Sequence, residues 1–286
     1  MNDENKPFTL GEICAGISGF GHGFEQAGWR VAWQIEINPL NRAVLADRHP
    51  HATQREDLRQ WRAYGLPRVD CIAAGFPCQD ISNMGARRAD KSQRGLAGER
   101  SGLFHEIMEM VRELKPAWLV LENVPALLHV NHSRDIATVF RKIAECGYCG
   151  FWRVLDAQYW GIPQKRRRLV MVFGLGRFPA LDYLADAAPV ESIPATAGSG
   201  WLLREADAWA AFTLTAANTS ARIGMGCELL VAEADGWDSM VERAREIETD
   251  GLCCGLDETN LAEAFAAGNA FTPPMARWIA EILNKS

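Results

Sequence analysis

Three apolar runs in this chain each end on a residue able to do chemistry, and that repetition constrains the fold more than any other feature. Val31-Ala32-Trp33-Gln34-Ile35 ends at Glu36. Val69-Asp70-Cys71-Ile72-Ala73-Ala74 runs into Gly75-Phe76-Pro77-Cys78-Gln79, and Ala117 to Leu121 ends at Glu122. Phe8 to Cys14, Gly150 to Leu155 and Leu169 to Phe173 read as further strands. Between them lie helical patterns. One starts at Asn38-Pro39, where proline suits a first turn. A second carries Leu103, Phe104, Ile107, Met108 and Val111, and a third runs from Ile136 to Ala144. Strands alternating with helices predict a doubly wound, mostly parallel α/β sheet. Such sheets bind ligands beyond the carboxyl ends of their strands, where Glu36, Cys78 and Glu122 fall.

The pattern changes after Gly174. Residues 177–201 lack periodicity, Phe212 to Thr215 and Glu228 to Val231 have strand character, and Glu233 to Glu263 is strongly acidic. Met275, Trp278, Ile279, Ile282 and Leu283 then mark a helix with one apolar face, which returns to the first domain. A chain of 286 residues, 48% hydrophobic, suits one large domain or a domain with a lobe.

A formal net charge of −6 argues against a non-specific nucleic-acid coat but permits a local basic cleft. The basic residues do cluster: Arg87, Arg88, Lys91, Arg94 and Arg100 follow Cys78, and Lys165 to Arg168 form a second group. Eight cysteines form no regular framework, and Met1 to Lys6 lacks the regions of a signal peptide, so a reducing cytoplasm is the expected compartment. No stretch has the length of a membrane span. Cys146-Gly147-Tyr148-Cys149 has no second pair to complete a zinc site, and no metal is expected.

The turn Glu12-Ile13-Cys14-Ala15-Gly16-Ile17-Ser18-Gly19-Phe20 follows the first strand, where glycine lets backbone approach a nucleotide-like ligand. Glu36, after the second strand, is placed to hold ribose hydroxyls. The G-x-G-x-x-G phosphate fingerprint is absent, which disfavours a nicotinamide oxidoreductase and suits a cofactor without phosphate. Cys78 opens a basic, glycine-containing loop from Gln79 to Gly102, the setting of a thiol made nucleophilic by nearby positive charge. A buried, inert cysteine is the competing reading from composition alone. Glu122 follows an apolar run, where partial desolvation favours sharing a proton.

Pro77-Cys78-Gln79, Glu122-Asn123-Val124, Gln164-Lys165-Arg166-Arg167-Arg168 and Gly268-Asn269, in that order, resemble the DNA cytosine-5 methyltransferase family over roughly residues 8–173 and 264–286. The resemblance implies methyl transfer from S-adenosylmethionine to carbon 5 of a flipped-out cytosine in double-stranded DNA. It makes Cys78 the nucleophile toward C6, Glu122 the partner of N3 and the exocyclic amine, Arg168 the ligand of O2 and Arg166 a brace. Arg167 is expected to be exposed or on phosphate. Cofactor contacts are implied for Cys14, Gly16, Ser18, Gly19, Glu36, Ile37, Asp57, Pro77 and Asn269. DNA contacts are implied for Gln79, Ser82, Arg87, Arg88, Arg100 and Gln164.

Three positions depart from the family: Cys14 and Ile37 stand where aromatics are common, and Ser18 stands where glycine is usual, so adenine stacking is weakened or rebuilt. The implied organisation is a catalytic and cofactor-binding domain over 1–173 and 264–286, with a small target-recognition region at 174–263. The family motif that supports that lobe is not recognisable; Val241 to Thr259 is acidic instead. A short target, or help from a partner protein, fits this departure. A monomer in a restriction-modification setting is the expected context. The alternatives are the tRNA-acting branch of the same family and a non-catalytic DNA-binding homologue; retention of Cys78, Glu122 and Arg168 disfavours the second.

Overall fold

A computed structural model describes residues 6–76, 103–129, 133–160, 164–180, 204–205, 208–209, 211–212 and 270–286, with backbone alone at 158–159, 164–165 and 204–212. Its main sheet has seven strands: β1 (Thr9–Ile13), β2 (Arg30–Ile35), β3 (Thr53–Arg55), β4 (Cys71–Gly75), β5 (Trp118–Asn123), β6 (Tyr148–Asp156) and β8 (Arg167–Leu175), in the order β3-β2-β1-β4-β5-β8-β6. The first five of that order are parallel; β8 runs antiparallel to both β5 and β6. The expected mostly parallel sheet is therefore present, with one reversed strand near its edge. The short β7 (Gln164–Lys165) pairs in parallel with Ala211–Phe212. Helices α1 (Gly19–Gln26), α2 (Pro39–Arg48), α3 (Leu103–Leu114), α4 (Arg134–Glu145) and α5 (Pro273–Asn284) complete the described elements, together with 3-10 turns and a short antiparallel pair, Arg204–Glu205 with Ala208–Trp209.

The unbroken apolar runs follow from a sheet covered on both faces. Along β4, Ile72 and Ala74 enter the core beneath α3 and α4, while Cys71 and Ala73 enter the core beneath α1 and α5. β5 divides in the same way, Leu119 and Leu121 to one side and Trp118 and Val120 to the other. No described helix is long and apolar enough to cross a membrane.

The start of α2 behaves as its sequence predicts: Pro39 occupies the first turn and the Asn38 side chain accepts a hydrogen bond from the Leu40 N–H at 2.9 Å. The glycine-rich stretch does not remain a turn. Gly19, Gly21 and Gly23 lie inside α1, where glycine is a poor helix former. Tertiary packing explains them. A Cβ on Gly19 would lie 2.0 Å from the Phe271 carbonyl oxygen, and one on Gly23 2.4 Å from that of Pro273 and 2.5 Å from the Ala276 Cβ. Glycine thus lets α5 and the segment before it approach the backbone of α1. Phe20 stacks on Phe271 with ring centroids 4.3 Å apart, and Trp29 Nε1 donates to Asn284 Oδ1 at 2.7 Å. The carboxyl-terminal helix returns to the first strand-helix unit, as its apolar face predicts.

Replacing Gly23 tests this packing. Gly23→Ala should destabilise the protein by about 1–3 kcal/mol, the usual cost of forcing a methyl into a full interface. Thermal unfolding measures it; an unchanged or raised midpoint would show that α5 can move aside.

Candidate active site

The strand order reverses direction between β1 and β4: the chain steps from β1 outward to β2 and β3, then back to β4 and β5 on the other side. Crevices form at such a switch, beyond the carboxyl ends. The β1–α1 turn on one side of it has an unusual backbone. Cys14 (φ 54°), Gly16 (φ 57°) and Ser18 (φ 69°) are all left-handed. Two of them carry side chains, so the turn holds strain that its neighbours must offset.

Glu36 is one of those neighbours. It is buried at the end of β2, accepting a hydrogen bond from the Gly16 N–H at 2.8 Å on Oε2 and from the Asn38 N–H at 2.8 Å on Oε1. Each carboxylate oxygen keeps a second lone pair for another donor. Desolvation, with Glu36 close by, pushes the partly buried Cys14 thiol up to about 12, so it is neutral at physiological pH. Ile37 is 59% exposed beside this turn, a large apolar side chain open to solvent. Asp57 follows β3, caps the 3-10 turn Leu58–Tyr64 by accepting from the Arg59 N–H at 3.0 Å, and is partly exposed.

A second edge lies across β4, β5 and β8. Register pairs Gly75 with Glu122, and Glu122 with Val170. Arg168 is therefore the diagonal neighbour of Glu122 on the same face, a spacing that long side chains bridge. They do: Arg168 Nε donates to Glu122 Oε1 at 2.8 Å, and both side chains are largely buried. Gly75 leaves room for this carboxylate, since a Cβ there would lie 3.2 Å from Glu122 Oε2. Arg167, next along, is exposed as expected. Arg166 is buried; its N–H donates to Asp156 Oδ1 at 2.9 Å and its guanidinium donates to the Ala270 carbonyl. It thereby ties the arginine segment to the residue after Asn269.

Pro77, Cys78, Gln79, Ser82, Arg87, Arg88, Arg100 and Asn269 lie outside the described residues, as does the side chain of Gln164. So do the expected strand at Glu228 to Val231 and the acidic stretch from Glu233 to Glu263.

Two contacts were not assigned from sequence. Asn123 Nδ2 donates to the Phe76 carbonyl at 3.3 Å while its Oδ1 accepts from the Val124 N–H at 2.9 Å. This latch holds the β4 exit against the end of β5. Its signal was present in Glu122-Asn123-Val124, where the amide was read only as part of a motif. The second contact is a buried polar group beneath the β1–α1 turn. Glu12 Oε2 accepts from Ser18 Oγ at 2.7 Å and from Gln34 Nε2 at 2.8 Å. A register shift between β1 and β2 at Leu10/Gly11 turns Gln34 to the Glu12 side. Gly21 gives the group its space, for a Cβ there would lie 2.2 Å from Ser18 Oγ. Ser18, the departure from glycine, is thus a strut of the turn.

Burial outweighs the hydrogen bonds from Gln34 and Ser18 and raises the Glu12 carboxyl above its ordinary value of 4.5. The folded protein then holds a proton that the unfolded chain has already released. Stability from this group is present at low pH and is lost as pH rises toward the folded value. Glu12→Gln should therefore gain stability relative to the wild type as pH rises above the ordinary carboxyl value of 4.5. Thermal unfolding of both proteins over that rise checks it; a constant difference would contradict it.

Residues 8–178 match the family described as C-5 cytosine-specific DNA methylase. Among similar proteins, the Type II methyltransferase M2.BsuMI of Bacillus subtilis (strain 168) is 33% identical over 171 residues, 58% of this chain and 42% of that protein. The Type II methyltransferase M.XorII of Xanthomonas oryzae pv. oryzae is 30% identical over 214 residues, 67% of this chain and 49% of that protein. The chain thus spans about half, or less, of the length of these curated relatives. The S. pombe Dnmt2 methyltransferase shares the fold, with a TM-score of 0.65 at 16% identity over 97% of this chain and 98% of that one. With residues 8–178, more than half its length, matching that family, the chain belongs to the C-5 cytosine-specific DNA methylase family.

Proposed function

We propose that this chain transfers a methyl group from S-adenosylmethionine to carbon 5 of a cytosine flipped out of double-stranded DNA, through a transient bond between Cys78 and C6. The observation that carries this reading is the Glu122–Arg168 pair beside Gly75. A carboxylate and a guanidinium held together, largely buried, offer an acceptor for an exocyclic amine, a proton for N3 and a donor for O2. Cys78 is three residues beyond Gly75, at most about 11 Å of extended chain.

The cofactor-side residues fit S-adenosylmethionine. Glu36 has lone pairs left for two ribose hydroxyls, the left-handed turn at Gly16 exposes backbone close by, and Ile37 offers an apolar face for a purine. When bound, this cofactor supplies an electrophilic methyl on a sulfonium. Carbon 5 of cytosine is a weak nucleophile, and addition of the Cys78 thiolate to C6 makes it enamine-like. Glu122 shares a proton with N3 as charge builds in the ring, and Arg168 holds O2. Loss of the C5 proton then expels the thiolate and restores the ring. Arg166, anchored at Asp156 and Ala270, positions this segment rather than touching the base.

A base within a duplex is out of reach of Cys78, so the target is extruded, at a cost of a few kcal/mol. The basic residues after Gln79, Arg87, Arg88 and Arg100 among them, are assigned to the DNA backbone with Ser82 and Gln164. Residues 1–173 and 264–286 form the catalytic unit and 174–263 the recognition region. The pairing of Ala211–Phe212 with β7 supports an origin of that region beside the arginine segment. The Type II names of the relatives favour a modification role over a regulatory one.

Cys78→Ser should abolish methyl transfer to duplex DNA while S-adenosylhomocysteine still binds, since a serine hydroxyl adds far less readily to C6. A duplex with 5-fluorocytosine at the target should become covalently attached to the wild type and not to this variant, because fluorine cannot leave as a cation. Parallel assays with labelled cofactor on duplex DNA and on tRNA identify the substrate. Retained turnover in Cys78→Ser, or methylation of tRNA alone, would overturn the reading.

Glu36→Ala should weaken S-adenosylhomocysteine far more than DNA. Two charge-assisted hydrogen bonds are lost, each worth about 1.5–3 kcal/mol. Calorimetric titration gives both affinities, and equal cofactor affinity in the two proteins would remove Glu36 from the site.

A further inference from the structure

One cluster of side chains lies away from the site and takes no part in the chemistry above. Glu25 sits in the last turn of α1, His49 at the carboxyl cap of α2, and His51 just before β3. α1 returns from the carboxyl end of β1, and His51 precedes the first residue of β3. The cluster therefore stands at the amino ends of the strands, the edge opposite Glu36 and Glu122.

Its geometry is compact. Glu25 Oε2 is 3.1 Å from His49 Nδ1, and Glu25 Oε1 is 3.0 Å from His51 Nε2. One ligand atom from each of the three lies within 4.8 Å of the others. His49 is 1% exposed; its Nδ1 faces Glu25 in that ion pair, and its Nε2 meets no hydrogen-bond partner. A buried imidazole with a nitrogen left unsatisfied is costly, and such a group calls for an explanation. His51, by contrast, is partly open to water, with 39% of its side chain exposed.

We propose that Glu25, His49 and His51 bind a divalent transition-metal ion of the zinc type, through a Glu25 carboxylate oxygen, His49 Nδ1 and His51 Nε2, with water in the fourth position beside His51. Two imidazoles and one carboxylate are the ligands such ions take, whereas calcium and magnesium select oxygen alone. Bonds of about 2.0–2.2 Å place tetrahedral ligand atoms about 3.4 Å apart, so a shift of about an ångström in the exposed His51 completes the triangle. The ion would join the end of α1 to the α2–β3 connection. It is a structural staple at the far edge of the sheet and is independent of the methyl-transfer reading.

Metal-stripped full-length protein titrated with zinc chloride tests this. The wild type should bind one equivalent and gain thermal stability that a chelator reverses. His51→Ala and Glu25→Gln should each lower zinc affinity by more than about tenfold and lose that gain, since even outer-shell changes at metal sites cost about 10–100-fold. Cobalt(II) added to the wild type should give the visible bands of a tetrahedral nitrogen-oxygen site without a thiolate charge-transfer band. That reading needs no variant and separates this site from the cysteines. Absence of saturable binding, binding unchanged in folded His51→Ala, or a thiolate band would each overturn the proposal and leave the three residues as an ion-paired cluster.

Discussion

The register of β5 is the constraint on which the candidate site depends. β5 is flanked by a parallel strand on one side and an antiparallel one on the other. That combination brings together residues distant in sequence. Parallel pairing sets Gly75 beside Glu122. Antiparallel pairing sets Arg168 diagonally across from the same carboxylate. A slip of one residue in either ladder would send Glu122 to the opposite face. The apolar alternation of Trp118, Leu119, Val120 and Leu121 between two buried cores opposes that slip. Hydrophobic packing on both faces of the sheet thus fixes the geometry of a polar site at its end.

The β1–α1 turn rests on a different trade. The β1–α1 turn is strained at Cys14 and Ser18, and α1 is rich in glycine. Both features weaken the segment taken alone. The compensation comes from outside it: Glu36 grips the Gly16 N–H, the Glu12–Ser18–Gln34 group braces the turn from beneath, and α5 packs where the glycines leave space. The pieces that hold this turn come from β1, β2 and the carboxyl terminus. The turn therefore assembles only when the domain does.

The sequence by itself determined the alternation of strands and helices, because buried strands need unbroken apolar runs and amphipathic helices need their own period. It also determined which residues end those strands, and so placed Glu36 and Glu122 at the carboxyl ends of β2 and β5 and foresaw the docking of the last helix through Met275, Ile279 and Leu283. Tertiary structure alone decided the rest. That β8 reverses beside β5 is a property of pairing, which no local pattern in Leu169 to Phe173 encodes. Local propensity disfavours Gly19, Gly21 and Gly23 in a helix; only the approach of α5 and of the Ser18–Glu12 group reveals why a helix tolerates them. Asp156, Asn123 and Glu12 gained their roles through partners 10, 47 and 22 residues away, and Glu25 met His49 and His51 through the packing of α1 against the α2–β3 connection. Sequence spacing carries the period of an element, whereas contacts between elements depend on register and packing, which appear only once the chain has folded.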